Sequence, residues 1–89
     1  MKIIKTDDFN NSFEKLPHNV KRLFFVQEAR FLISSQDSRL HIKKIKGLPL
    51  AFSFRITSNY RALFCFQDSE TAVFFDIDHR KDVYRRLAA

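Results

Sequence analysis

The sequence predicts an α+β fold, a single antiparallel sheet with an N-terminal helical hairpin packed on one face. Three observations predict it. Apolar residues recur at three- and four-residue spacing through the first third of the chain, and at two-residue spacing from position 50 to 78. The chain's one glycine and two prolines (Pro17, Gly47, Pro49) fall at the joints between such blocks.

Residues 2–5 read as a short first strand. Thr6 or Asp7 can cap a helix whose Phe9, Phe13 and Leu16 share one face. Pro17 stops that helix and suits the first turn of the next. The second helix is expected over 17–34, with Val20, Phe24, Gln27 and Phe31 as its inner stripe and Leu23, Val26, Ala29, Leu32 and Ile33 widening it. Residues 34–38 are polar and loop-like, and 39–46 alternate loosely and are strongly basic.

Residues 50–56 alternate large apolar with small or charged side chains, as a half-buried strand does. Thr57-Ser58-Asn59 reads as a three-residue loop, Asn59 tolerating the left-handed conformation expected there. Pairing across it matches Ile56 with Tyr60, Phe54 with Ala62, Phe52 with Phe64 and Leu50 with Phe66. The other face then holds Arg55 opposite Arg61, Ser53 opposite Leu63 and Ala51 opposite Cys65. A slip of one residue would destroy this sorting, so the register is well specified. In the last strand Val73, Phe75 and Ile77 are expected on the aromatic face, with Phe74, Asp76 and Asp78 beside the arginines. The charged tail, with Val83 and Leu87 four apart, fits a short helix or a loose end. The order is β-α-α-β-β-β.

Residues 1–89 are read as one domain. The single Cys65 excludes a disulfide framework and fits a reducing compartment. The start Met1-Lys2-Ile3-Ile4-Lys5 does not resemble a signal peptide, and no apolar run reaches the roughly 20 residues of a membrane helix. A cytoplasmic protein is expected. The net charge of +6 is concentrated: residues 38–67 carry six Lys or Arg and no acid, whereas 68–78 carry four acids and no base. Such a field attracts polyanions. Lys43, Lys44, Lys46, Lys81 and Arg85 are the residues expected to meet an RNA backbone.

Two arginines facing each other across a hairpin repel by up to about 1 kcal/mol. Either a carboxylate offsets this, with Asp76 expected beside Arg61, or a phosphate does, bound in bidentate fashion. The end of the last strand adds His79, Arg80 and Tyr84. RNA can be cut when a base takes the 2′-OH proton, cations hold the phosphate and an acid protonates the leaving oxygen. Each group also has a plain structural reading: His79 as a strand end, Tyr84 packing with Val83 and Leu87, Arg85-Arg86 as surface charge. His18 and His41 are isolated. The sequence lacks paired cysteines, metal-ligand spacing and a glycine-rich phosphate loop, so no metal or nucleotide cofactor is expected.

Three segments resemble the RelE/ParE superfamily of type II toxin–antitoxin toxins. Leu40-His41-Ile42-Lys43-Lys44-Ile45-Lys46-Gly47-Leu48 is similar to the family's Lys-Lys-Leu-Lys-Gly lead into the sheet. Phe54-Arg55-Ile56 with Asn59-Tyr60-Arg61-Ala62-Leu63-Phe64 is similar to Leu-Arg-Ile followed by Tyr-Arg-Val-Leu-Phe. His79-Arg80-Lys81-Asp82-Val83-Tyr84-Arg85 is similar to a common RelE-like ending. The resemblance implies an endoribonuclease that cleaves mRNA, often on the ribosome, silenced by a cognate antitoxin protein. It implies that Arg55 and Arg61 lie near the scissile phosphate, that His79 and Arg80 form the basic cluster, and that Tyr84 assists proton transfer. The chain departs from the pattern at Phe52, Ser53 and Phe54, where ribosome-dependent members carry lysines, and in a loop one residue longer before Tyr60. His79 is then the expected general base. A ParE-like inhibitor of DNA gyrase and a non-catalytic RNA-binding relic are the other functions the resemblance admits.

Overall fold

The computed structural model describes residues 1–88. Strand β1 (Lys2–Lys5) leads through Thr6 into helix α1 (Asp7–Glu14). The Thr6 hydroxyl accepts the Phe9 N–H at 3.1 Å, and Asp7 and Asp8 place negative charge at the positive end of the helix dipole. Leu16 lies beyond the helix yet stays buried. Helix α2 (His18–Ile33) starts behind Pro17, and one 3-10 turn (Ser38–Leu40) leads to β2 (Lys43–Lys44). Strands β3 (Ala51–Arg55), β4 (Tyr60–Asp68) and β5 (Thr71–His79) follow, and helix α3 (Arg80–Ala88) ends the described chain. Among the described residues, no helix is long and apolar enough to cross a membrane.

The sheet order is β1-β5-β4-β3-β2. Pairing is antiparallel from β3 to β5, as expected; the short β2 in the basic 39–46 segment adds an unexpected antiparallel strand, and β1 joins β5 in parallel, making a mixed five-stranded sheet. No hairpin links β1 to its neighbour, so no local turn signal reveals this pairing. It is set by helices that carry the chain away and return it to the far edge.

Six phenylalanines (Phe9, Phe24, Phe31, Phe54, Phe64 and Phe74) form the main core between sheet and helices, each at most 1% exposed. Phe31 meets Phe64 edge-on at 5.0 Å, a favoured aromatic geometry. Each ring contributes about 1.5–3 kcal/mol of burial, which is how so short a chain sustains a core. The inner stripe of α2 is the expected Val20, Phe24, Gln27 and Phe31. Of its expected flank only Leu23 packs against the core; Val26, Ala29, Leu32 and Ile33 join Phe25 on the solvent side, because a single sheet offers α2 one face to cover.

The β3–β4 register is the expected one, from Ala51↔Cys65 to Arg55↔Arg61. Leu50 does not extend it; its φ of 65° turns it out of the strand and leaves it 65% exposed. Asn59 is not left-handed either. The loop is instead tied by its own hydrogen bonds, including Asn59 N–H to the Thr57 hydroxyl at 3.2 Å.

A β-bulge corrects the reading of β5. Leu63 pairs with Asp76 but Phe64 pairs with Phe74, so Phe75 is an extra residue and the alternation reverses before it. Phe74 therefore belongs to the main core, while Val73 and Phe75 turn to the other face; Ile77 is on the aromatic side as expected. Helix α3 covers part of that second face, burying Val83 with Ile45, Ala51 and Leu63, and packing Leu87 and Phe75 alongside. The tail is thus a docked helix.

Candidate functional site

Alternation along β3 and β4 sends Arg55 and Arg61 away from the phenylalanine layer, onto the face that α3 only partly covers. The buried amide of Gln27 holds the end of β3, donating to the Arg55 carbonyl at 2.6 Å and to that of Arg39 at 2.9 Å. Arg55 itself keeps a buried Nε without a hydrogen-bond partner. Arg61 arches over its own hairpin, Nη1 donating to the carbonyls of Thr57 (2.8 Å), Ser58 (3.0 Å) and Tyr60 (3.1 Å). Burial lowers its pKa, and the positive charges of Arg55 and Arg80 push the same way, with the Tyr84 phenol opposing. It remains a cation, since guanidinium does not deprotonate in proteins.

Helix α3 completes the cluster. Tyr84 reaches back to β3, and its hydroxyl donates to Ser53 Oγ at 3.1 Å. Among the described residues, no carboxylate forms an ion pair with Arg55, Arg61 or Arg80.

Asp76 does not sit beside Arg61 as expected. In register Arg61 faces Asp78, and both carboxylates are taken by Arg86, whose Nη2 and Nη1 reach Asp76 and Asp78 at 2.8 Å each. Those hydrogen bonds raise the Arg86 pKa further above its ordinary value. The clamp removes the negative charge β5 would bring to the arginines and pins the end of α3. Arg86 is thus an ion-pairing residue and not the plain surface charge its sequence position suggests.

The expected site residues therefore divide. Arg55, Arg61 and Tyr84 lie on one face, and Arg80 is near enough for its charge to act on Arg61. His79 does not join them: it pairs with Tyr60 on the phenylalanine side, their rings edge to face at 5.5 Å, and its Nδ1 accepts the Lys81 N–H at 3.2 Å. A β-strand sends neighbours to opposite faces, so His79 cannot share the face of Asp78. Lys43 lies opposite Ser53 on β2, and Lys43, Lys44 and Lys46 line a cavity with Tyr84. Lys81 is exposed on the first turn of α3, and Arg85 is ion-paired to Asp82. Ser53 was missed as a site residue. Its signal was being the one hydroxyl on the arginine face of β3, but its partner became visible only with α3 in place.

No protein-family model matches the chain, and no curated protein sequence does. Solved structures do. The RelB–RelE antitoxin–toxin complex from Methanococcus jannaschii matches with a TM-score of 0.73 and 26% identity, over 93% of this chain and 96% of that one. The toxin–antitoxin complex RelBE2 from Mycobacterium tuberculosis is 27% identical, with a TM-score of 0.65 over 89% and 96%. The YoeB/ParE toxin from Agrobacterium tumefaciens is 14% identical, with a TM-score of 0.76 over 90% and 99%. The chain's three helices and mixed five-stranded sheet make an α+β fold that matches these RelE neighbours. The chain is RelE-like in fold, and it resembles two of these toxins at 26% and 27% identity.

Proposed function

We propose that the chain is the toxin of a type II toxin–antitoxin system, an endoribonuclease that cleaves mRNA on the ribosome without a metal ion. One observation carries this: Arg55 and Arg61 face each other with Tyr84 anchored on the same face of β3, and Asp76 and Asp78 on the neighbouring strand are held by Arg86. Nothing in the cluster neutralises the guanidiniums, so they are ready for a phosphate.

The 2′-OH of the substrate gives up its proton and its oxygen attacks the adjacent phosphorus. The bond from phosphorus to the 5′ oxygen breaks, leaving a 2′,3′-cyclic phosphate and a protonated 5′-OH. Arg55, Arg61 and Arg80 hold the charge that grows on the phosphoryl oxygens. The Tyr84 hydroxyl oxygen takes the 2′-OH proton as the phenol releases its own to the leaving 5′ oxygen, and Ser53, 1% exposed, holds the phenol in place; the general-base role expected of His79 passes to Tyr84.

Expression of the wild type and of Arg61→Ala, with mapping of mRNA ends, tests the reading. New cuts and growth arrest with the wild type alone are expected; identical growth and no new ends for both would defeat it. Gyrase–DNA cleavage complexes in a supercoiling assay would instead indicate the ParE-like activity.

The partner in this reading is a cognate antitoxin, as the RelB complexes suggest. The exposed stripe Phe25, Val26, Leu32 and Ile33 on α2 is the surface it would bury. Phe25→Asp should release the antitoxin in a pull-down while leaving RNA cleavage intact.

A further inference from the structure

The inner stripe of α2 holds one polar residue. Val20, Phe24 and Phe31 are apolar, and Gln27 stands among them, 5% exposed. A buried amide costs stability unless its hydrogen bonds are made. Gln27 makes them. Its Nε2 donates to the carbonyls of Arg55 at 2.6 Å and Arg39 at 2.9 Å, and its Oε1 accepts from Arg30 Nη1 at 2.9 Å. A guanidinium only donates, so Arg30 draws the amide oxygen to its own side and turns the NH₂ toward the two carbonyls.

The clamp stands where the sheet runs out. On the outer edge of β3 the Ala51 carbonyl accepts the Ile45 N–H at 2.9 Å, and alternation puts the carbonyls of Ser53 and Arg55 on that same edge. β2 pairs no further than Ser53; the chain leads into it from His41, left-handed at φ 48°. The Gln27 amide thus takes the place of the next β2 residue and ties the last residue of β3 to α2 and to the 3-10 turn. The Arg55 side chain leaves the sheet on the opposite face, so Gln27 itself touches no substrate.

Arg55 needs this anchor. Its guanidinium faces the like charge of Arg61 across the ladder. Arg61 is tied to the carbonyls of Thr57, Ser58 and Tyr60, so the repulsion displaces Arg55 unless its backbone is held.

We propose that Gln27, oriented by Arg30, is a positioning residue for cleavage: it fixes the backbone of Arg55 so that the guanidinium stays where charge grows on the phosphoryl oxygens. It rests on the nuclease reading for its reaction. A displacement of about 1 Å at such a group costs about 10²-fold in rate.

Gln27→Met nearly keeps the side-chain volume and removes both donors, while Arg30→Met keeps the amide and frees it to turn. Each is combined with Arg55→Met. Single-turnover cleavage, and affinity for a 2′-O-methyl oligonucleotide that cannot be cleaved, are measured well below every melting midpoint. Gln27→Met is expected to slow cleavage about 10²-fold in the wild-type background and to weaken the oligonucleotide severalfold. In the Arg55→Met background it should change rate and affinity by no more than about twofold, because the group the amide positions is gone. Arg30→Met should give a smaller loss with the same dependence on Arg55. A loss of equal size in both backgrounds would assign the clamp to stability alone and overturn the proposal, as would wild-type rates and affinities for both single variants. If Gln27→Met does not fold, Arg30→Met decides by the same comparison. The nuclease reading is scored separately: RNA bound but not cut by the wild type removes that reading, and the comparison on affinity then decides the role of Gln27.

Discussion

The Tyr84 hydroxyl donates to Ser53 Oγ at 3.1 Å, joining α3 to the middle of β3 across 31 positions of sequence. The bond fixes the phenol next to Arg55 and Arg61. Tyr84→Phe is expected to lower single-turnover cleavage by about 10²–10⁴-fold, the usual value of a positioned acid or base. Ser53→Ala should cost less in rate, and about 1 kcal/mol in stability for the lost hydrogen bond. Thermal melts beside quench-flow cleavage separate the two effects. A Tyr84→Phe protein as fast as wild type would take the phenol out of the reaction.

Arg55 keeps a buried, unpartnered Nε and faces a like charge at Arg61. Such an arrangement costs stability and is retained where function needs it. Arg55→Met should therefore melt higher, gaining up to about 1 kcal/mol by relief of the repulsion. Its cleavage should fall about 10²–10³-fold, as when one donor to a developing charge is removed. A variant that loses stability and keeps its rate would contradict both halves of this expectation.

Arg86 keeps Asp76 and Asp78 from opposing the cluster. Removing it with Arg86→Ala should cost about 1–2 kcal/mol, less than for a fully buried pair because its side chain is 45% exposed. RNA affinity should fall too, since two freed carboxylates then oppose the phosphate. Adding Asp76→Asn and Asp78→Asn to Arg86→Ala should recover the affinity. If the triple variant binds as poorly as Arg86→Ala, Arg86 itself touches the RNA.

His79 stands against Tyr60, away from the guanidiniums. His79→Ala is expected to keep the rate and pH profile of wild-type cleavage, with a small loss of stability at the end of β5. A drop in the range of about 10²–10⁴-fold, with loss of a pH-profile limb near neutrality, would return the imidazole to the reaction as general base.

Local patterns were enough for much of this architecture. The Thr6 cap, the Pro17 hinge, the inner stripe of α2 and the β3–β4 register each depend on residues close in sequence, or on an alternation that fails if shifted by one. The opposition of Arg55 and Arg61 followed from that register alone. The reading failed where an alternation was carried too far: through the bulge at Phe75, and along the flank of α2, where apolar residues have no second layer to cover them.

The sequence by itself determined the class of fold, the central hairpin and the basic face, because periodicity and charge are properties of neighbours along the chain. Only the tertiary structure decided which side chains meet on that face. The docking of α3 brings Tyr84 to Ser53 and Arg86 to Asp76 and Asp78, while strand alternation sends His79 the other way. Those contacts join elements far apart in sequence, and their geometry depends on how the helix packs over Leu63 and Ala51, which no local pattern encodes.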